Sequence, residues 1–218
     1  MFGTGFKLQS LRVAMIRGQN LRPLCLIMPI KIKDADFFYN RGCDRRDAGK
    51  YTPAIADFSK VIELDPTHYK AHHHRAFSLN HSGKKQAAVA DMTAAIHLHP
   101  GDAELHFNRG VIRSDLQLWE EAIADFDQVL TLTPKDAEAH YIRGRNKYRL
   151  GVNFSGLHFV MTNPDTGVVA EIGAESGARS LELFEEAVQD FERAMALDAD
   201  DEDVPRWLAM AQDRLNNG

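Results

Sequence analysis

The sequence predicts an all-α chain of stacked helix pairs, and three observations carry that prediction. The pentapeptide AIADF stands at Ala54–Phe58 and again at Ala122–Phe126, with looser copies at Ala88–Met92 and Ala187–Phe191. The copies start 34, 34 and 65 residues apart, so one interval recurs and the last overshoots by 31. The same interval aligns Pro66, Pro100 and Pro134, and also the small residues Gly42, Ala76, Gly110 and Gly144. A fixed interval of about 20–50 residues marks units that bury their apolar faces only by stacking on one another.

The registers run 35–68, 69–102 and 103–136, with a longer fourth at 137–201, so the repeats occupy 34–201. Late in the first repeat, Ala54, Ile55, Phe58, Ile62 and Leu64 recur mostly at three and four residues, the spacing of an amphipathic helix. Ala122, Ile123, Phe126, Leu130 and Leu132 repeat the pattern. Thr52-Pro53 suits a helix start, threonine as cap and proline in the first turn. The column prolines close each repeat, because the residue before a proline avoids helical geometry. Small residues on the first helix are expected to face the alanine column at 54, 88, 122 and 187, letting the two axes approach closely.

These columns, with Tyr51 and Trp119 at the helix–helix turn, resemble the tetratricopeptide repeat from Asp34 to about Asp201. The resemblance implies a right-handed solenoid of four helix-hairpin repeats, with a concave ligand face lined by the first helix of each pair. The chain departs from the pattern at Ala199, where a proline is expected, and at Lys85, where the turn aromatic is expected.

The fourth repeat opens normally with Ala139, Tyr141, Arg143 and Gly144, and its second helix resumes at Phe184. The 31 extra residues fall at the turn, where an insertion leaves the helix pairing intact. Within 152–183, LHFVMT and VVAEI flank the turn-forming cluster Asn-Pro-Asp-Thr-Gly, which reads as a β-hairpin insert in the fourth repeat. A lone hairpin is marginal in water, so it needs a surface to cover. It is either a loop lying against the last helices or a lid over the groove. Val204, Trp207, Leu208, Ala211 and Leu215 then form the apolar face of a C-terminal capping helix at 202–218.

Charge separates the ends of the chain. Residues 1–33 hold six basic residues and no acid, while the rest holds 31 acidic against 20 basic residues, a net −11. So acidic a body is a poor match for nucleic acid, whose phosphates call for clustered Lys and Arg. No apolar run approaches the ~18 residues of a membrane span. Cys25 and Cys43 are the only cysteines and have no metal-knuckle spacing, which fits a reduced, cytoplasmic compartment. The basic extension 1–33 reads as a flexible tail, a misassigned start or an organelle transit leader.

No phosphate loop, zinc-protease helix or nucleophile elbow is present, and neither a catalytic residue nor a cofactor is expected. His72, His106 and His140 share one column with Phe38, so packing explains them better than a metal, which needs converging ligands. Arg41, Arg75, Arg109 and Arg143, matched by Asp57, Asp91, Asp125 and Asp190, predict a structural ion-pair ladder. The resemblance places three further columns on the concave face. They hold Tyr39, His73, Phe107 and Tyr141; then Asn40, His74, Asn108 and Ile142; then Cys43, Phe77, Val111 and Arg145. Aromatics there supply apolar anchorage for an extended peptide, and asparagines pair with its backbone. Relatives that hold chaperone tails carry a clamp of Lys or Arg with Asn. Those positions here are Tyr39, Cys43, His74, Glu104 and Asn108, and only the last agrees. The chain is thus expected to be a non-enzymatic adaptor for a peptide or partner helix. An architectural subunit assembling through its edges or the insert, and a His/Cys-based metal protein or small enzyme, are the alternatives.

Overall fold

Each repeat begins on a side-chain cap, and the caps keep the interval of the sequence. In the computed structural model, which describes residues 34–155, 159–162, 169–172, 174–198 and 202–217, α1 is Ala35–Asp47, α3 is Tyr69–His81 and α5 is Ala103–Asp115. Asp34 accepts the Phe37 amide at 2.9 Å, His68 Nδ1 the Ala71 amide at 3.1 Å, and Asp102 the Glu104 amide at 3.0 Å. Asp136 does the same for the Ala139 amide at 2.9 Å, at the head of α7. Each bond satisfies one of the orphan donors of a helix start.

These 13-residue helices end alike. Gly49, Gly83 and Gln117 adopt positive φ of 69°, 75° and 61°, again one repeat apart. The following amides, of Lys50, Lys84 and Leu118, reach back to the carbonyls of Arg45, Leu79 and Arg113 at 2.8–2.9 Å. This is the left-handed helix stop that glycine makes without strain. The partner helices α2 (Tyr51–Leu64), α4 (Lys85–Leu98) and α6 (Trp119–Leu132) follow, with 14 residues each.

The fourth pair is longer, α7 (Ala137–Ser155) having 19 residues and α8 (Ala174–Leu197) having 24. The position that stops the other first helices is here Gly151, and the helix runs through it. A Cβ on Gly151 would stand 2.8 Å from the Phe184 ring, and one on Gly144 would stand 2.9 Å from Phe191. The two contacts are one heptad apart on each strand of the hairpin, so the same packing continues past the usual turn. The extra residues do not all form a separate insert over 152–183, because helix claims both of its ends. Between them β1 (Phe159–Thr162) and β2 (Val169–Ile172) pair antiparallel, with Phe159 opposite Ile172 and Thr162 opposite Val169. The basic extension 1–33 and the turn cluster 163–167 lie outside the described residues. α9 (Asp203–Asn217) packs on α8 and α7, and buries Val204 and Ala211.

The core follows the columns. Ala54, Phe58 and Val61 in α2 are buried, as are Ala88, Met92 and Ala95, then Ala122, Phe126 and Val129, then Ala187, Phe191 and Ala194. One sequence expectation needs correcting at this level. The nearest neighbour of Gly42, Gly110 and Gly144 is not the alanine column but the ring of Phe58, Phe126 and Phe191. Burying a phenyl ring there gains more apolar contact than an alanine methyl could.

The ladder is present and does two jobs. Arg75 binds Asp91 through two bonds of 2.6 Å, Arg109 binds Asp125 at 2.6 Å and Arg143 binds Asp190 at 2.5 Å; Arg41 pairs with Asp57 in the same way. The free nitrogen of each later arginine donates to the preceding repeat: Arg75 to Ser59 at 3.0 Å, Arg109 to Thr93 at 3.1 Å, Arg143 to Asp127 at 2.6 Å. One guanidinium therefore ties its own helix pair together and fastens it to the pair before. The histidine column seals the same junction, His72, His106 and His140 each meeting the carbonyl of Pro66, Pro100 or Pro134 through Nε2 at 3.3 Å. Among the described residues no group of three potential ligands could hold a metal ion, and no helix is long and apolar enough to cross a membrane.

Candidate functional site

The odd-numbered helices lie along one face, α1 touching α3, α5 touching α7 and α7 touching α9. Between α1, α3 and α5 this face opens into a cleft of about 470 Å³ lined by Arg46, Asp47, Tyr51, His73, His74, Phe77, Glu104 and Asn108. Four of the twelve residues in the three concave columns meet there: His73, His74, Phe77 and Asn108. Phe77 is 41% exposed, a large apolar side chain left open at the mouth. Its ring stacks on His81 at 4.2 Å and meets Tyr51 edge-on at 6.5 Å, which fixes its direction.

The polar wall is bonded across helices. Asn108 of α5 lies 3.3 Å from His73 Nε2 of α3, with Glu104 Oε1 at 3.9 Å from the same nitrogen. Arg46 of α1 donates to His74 Nδ1 at 2.6 Å, and the two histidine rings stack at 5.1 Å. Burial, then the Arg46 charge and His73, push His74 down to about 4. His73 is also lowered, chiefly by burial. At neutral pH both are uncharged rings, and Nδ1 of His74 is an acceptor held by Arg46. The cleft thus offers an aromatic floor, amide and imidazole hydrogen-bonding groups, and a carboxylate rim at Asp47 and Glu104.

The other named residues are placed differently. Asn40 is exposed on α1. Tyr39 packs between the rings of His68 at 4.8 Å and His74 at 5.7 Å. Burial above all, with Cys43 beside it, pushes the Tyr39 phenol up to about 12. Burial likewise raises the Cys43 thiol, which keeps it protonated and a weak nucleophile. Phe107 turns its edge to Phe126 at 5.5 Å and shares a core cluster with Val111 and Ile142. It also borders a separate depression of about 260 Å³ with Val129 and Thr133. Tyr141 and Arg145 stand at the far end of the face, where Arg145 lies over Tyr141 at 5.4 Å and Trp207 at 5.3 Å.

The concave columns did not include Arg46, Asp47 or Tyr51. Arg46 follows Cys43 by three residues and Asp47 by four, so the next turn of the same helix face was the available signal. The sequence marks Tyr51 as a turn aromatic, and the structure shows that the turn itself borders the cleft.

Comparison with known proteins agrees with this architecture. Residues 39–103 and 81–137 match the tetratricopeptide repeat family. The chain is similar to the structure described as the first TPR of Spaghetti (RPAP3) bound to HSP90 peptide SRMEEVD, with 28% identity and a TM-score of 0.52, over 54% of this chain and 93% of that one. It is similar in fold to MamA from Desulfovibrio magneticus RS-1, with 15% identity and a TM-score of 0.64 over 84% of this chain and 86% of that one. The Arabidopsis OM64 TPR domain aligns with 22% identity and a TM-score of 0.50 over 53% of this chain and 95% of that one. No curated protein matches the chain. Repeat columns, caps, helix stops and family match coincide, and the chain is a tetratricopeptide repeat protein.

Proposed function

We propose that the chain is a non-enzymatic adaptor that holds an extended segment of a partner protein along the face formed by α1, α3, α5 and α7. The observation that carries this reading is the cleft at Phe77, where an exposed aromatic stands beside Asn108, His73 and Glu104. An exposed ring rimmed by groups that donate and accept is the pattern that grips a peptide by alternate side chains and backbone. The similar domain from Spaghetti was captured with a peptide, which supports a peptide ligand for this face as well. The clamp positions differ, with Tyr39, Cys43, His74 and Glu104 where relatives carry other residues, so a carboxylate of the ligand is not held at those positions. The segment joining α7 to α8 is read as a lid over the same face, and a cytoplasmic location as the setting.

A pull-down from lysate with wild type and with Phe77→Ala and Asn108→Ala tests the site. Loss of the same bound proteins from both variants, with unchanged helical signal, is the expected result. Retention of every bound protein by both variants would remove this face from the binding function. Deleting residues 156–173 is expected to weaken capture without unfolding the repeats, and unchanged capture would remove the lid.

A further inference from the structure

On α1, α3 and α5 every arginine bonds a carboxylate. Arg41, Arg45, Arg75, Arg109, Arg113 and Arg143 each bond a carboxylate within the ladder. Arg145 and Arg149, one turn apart on α7, differ: among the described residues neither has an ion-pair partner. Both lie against one indole, Arg145 at 5.3 Å and Arg149 at 5.9 Å from the Trp207 ring of α9. Arg145 also covers Tyr141, and its Nε is enclosed without a hydrogen-bond partner among the described residues.

Two cations held side by side without a counter-ion repel each other. Burial first, and the Arg145 charge second, both work against the charge on Arg149. The acid whose charge reaches Arg149, Asp115, is already taken by Lys85 Nζ at 2.9 Å. Aromatic faces hold guanidinium groups by their planes and leave the N–H edges free for an acceptor. The arrangement is therefore organised before any ligand arrives.

We propose that Arg145 and Arg149 form a carboxylate subsite at the α7–α9 end of the face, filled by an acidic side chain or the terminal carboxylate of the segment that the face holds. This deepens the adaptor reading and rests on it. A planar guanidinium fork matches a carboxylate through two parallel bonds, and two forks set the direction in which the bound chain must run. The position is distinct from the clamp positions of relatives, which fall in the first three repeats of the chain.

The test uses the full chain carrying Trp119→Phe, which leaves Trp207 as its single tryptophan and so as the reporter. The probe is the heptapeptide SRMEEVD, with its amidated form and a form with glutamine for glutamate. Saturable change of Trp207 emission, weakening as salt is raised, is expected. Arg145→Met with Arg149→Met should weaken binding by about tenfold or more, the scale of losing charge-assisted hydrogen bonds. Should the methionine pair reduce helical signal, Arg145→Lys with Arg149→Lys keeps both charges while losing the fork, and should still weaken binding by about threefold. Weakening by amidation assigns the terminal carboxylate, and weakening by glutamine assigns the side chains. Absence of a saturable response, equal binding by wild type and arginine variants, or indifference to both peptide changes would overturn the proposal. Loss in Phe77→Ala and Asn108→Ala with none in the arginine variants would refute the subsite and leave the adaptor face standing. The reverse result would keep the subsite and refute the placement of the ligand along the cleft.

Discussion

A methyl group on Gly42 would stand 2.8 Å from Cε1 of Phe58, closer than side-chain carbons approach without displacement. Gly110 with Phe126 and Gly144 with Phe191 repeat the relationship. The second repeat breaks it on both sides at once, with Ala76 and Met92 in the same core cluster. A flexible methionine makes room for the methyl that a rigid ring refuses. This compensation within one chain makes the contact testable.

Gly42→Ala is expected to destabilise the fold by about 1–3 kcal/mol, the scale of overpacking. Adding Phe58→Met should recover part of the loss, since the pair then matches the second repeat. Urea titration of the two single variants and the double variant gives the coupling. Purely additive effects would contradict the account.

Gln117 occupies the left-handed helix stop filled by Gly49 and Gly83, with φ of 61°. Gln117→Gly relieves the Cβ crowding of that conformation and loses some chain entropy in return. A net gain of about 0.5–1 kcal/mol is expected. A higher thermal midpoint checks it, and a fall would show that the glutamine side chain contributes more than the backbone loses.

Asp190 is where acid should act on the fourth pair. Burial opposes its charge, but the Arg143 hydrogen bond and Lys147 at 2.9 Å outweigh burial and lower its pKa. A depressed carboxyl stabilises the fold fully above the ordinary value of 3.8, and that contribution fades as pH falls through the lower folded value. Asp190→Asn should cost about 3 kcal/mol at neutral pH by removing the buried carboxylate that Arg143 and Lys147 share, though Arg143 keeps Asp127 and Lys147 keeps Glu186, and should flatten the acid limb of stability against pH. An acid limb unchanged in the variant would contradict this.

His74 should remain neutral far below the ordinary histidine range, with its ring resonances moving near pH 4. A base with a lowered folded pKa contributes fully above the unfolded value, near 6.5, and loses that contribution as pH falls toward 4. Arg46→Gln removes the second largest cause and should bring the midpoint back toward 6.5. An NMR titration of both proteins decides it: an unchanged midpoint would mean that Arg46 does not act on the ring.

Much of the architecture was legible because its causes recur at a constant interval. The Arg and Asp columns reported a contact made in all four repeats, and the prolines and the small column one made in three of them. The histidine column was legible as packing, but its bond to the proline carbonyl was not, because nothing in the spacing says which backbone atom a ring will meet. The stop at Gly49 and Gly83 and the read-through at Gly151 show the limit most plainly. The same residue type at the same register position turns the chain in two repeats and admits the Phe184 ring in another. What surrounds the glycine decides, and that lies elsewhere in the chain.

The candidate site divides along the same line. His73, His74, Phe77 and Asn108 could be named from their columns, since the helix period groups them on one face and the family resemblance implies that this face is the concave one. Arg46 entered only through its bond to His74, 28 positions away, and the Arg145–Arg149 pair only through Trp207 on the last helix.

By itself the sequence determined the repeat, its register and the columns of residues that recur in it, because those depend on periodic spacing along a short stretch of chain. Only the tertiary structure decided where the fourth pair ends, which groups share the cleft and which arginines go without a counter-ion. Those outcomes depend on distances between side chains remote in sequence, and packing alone sets such distances.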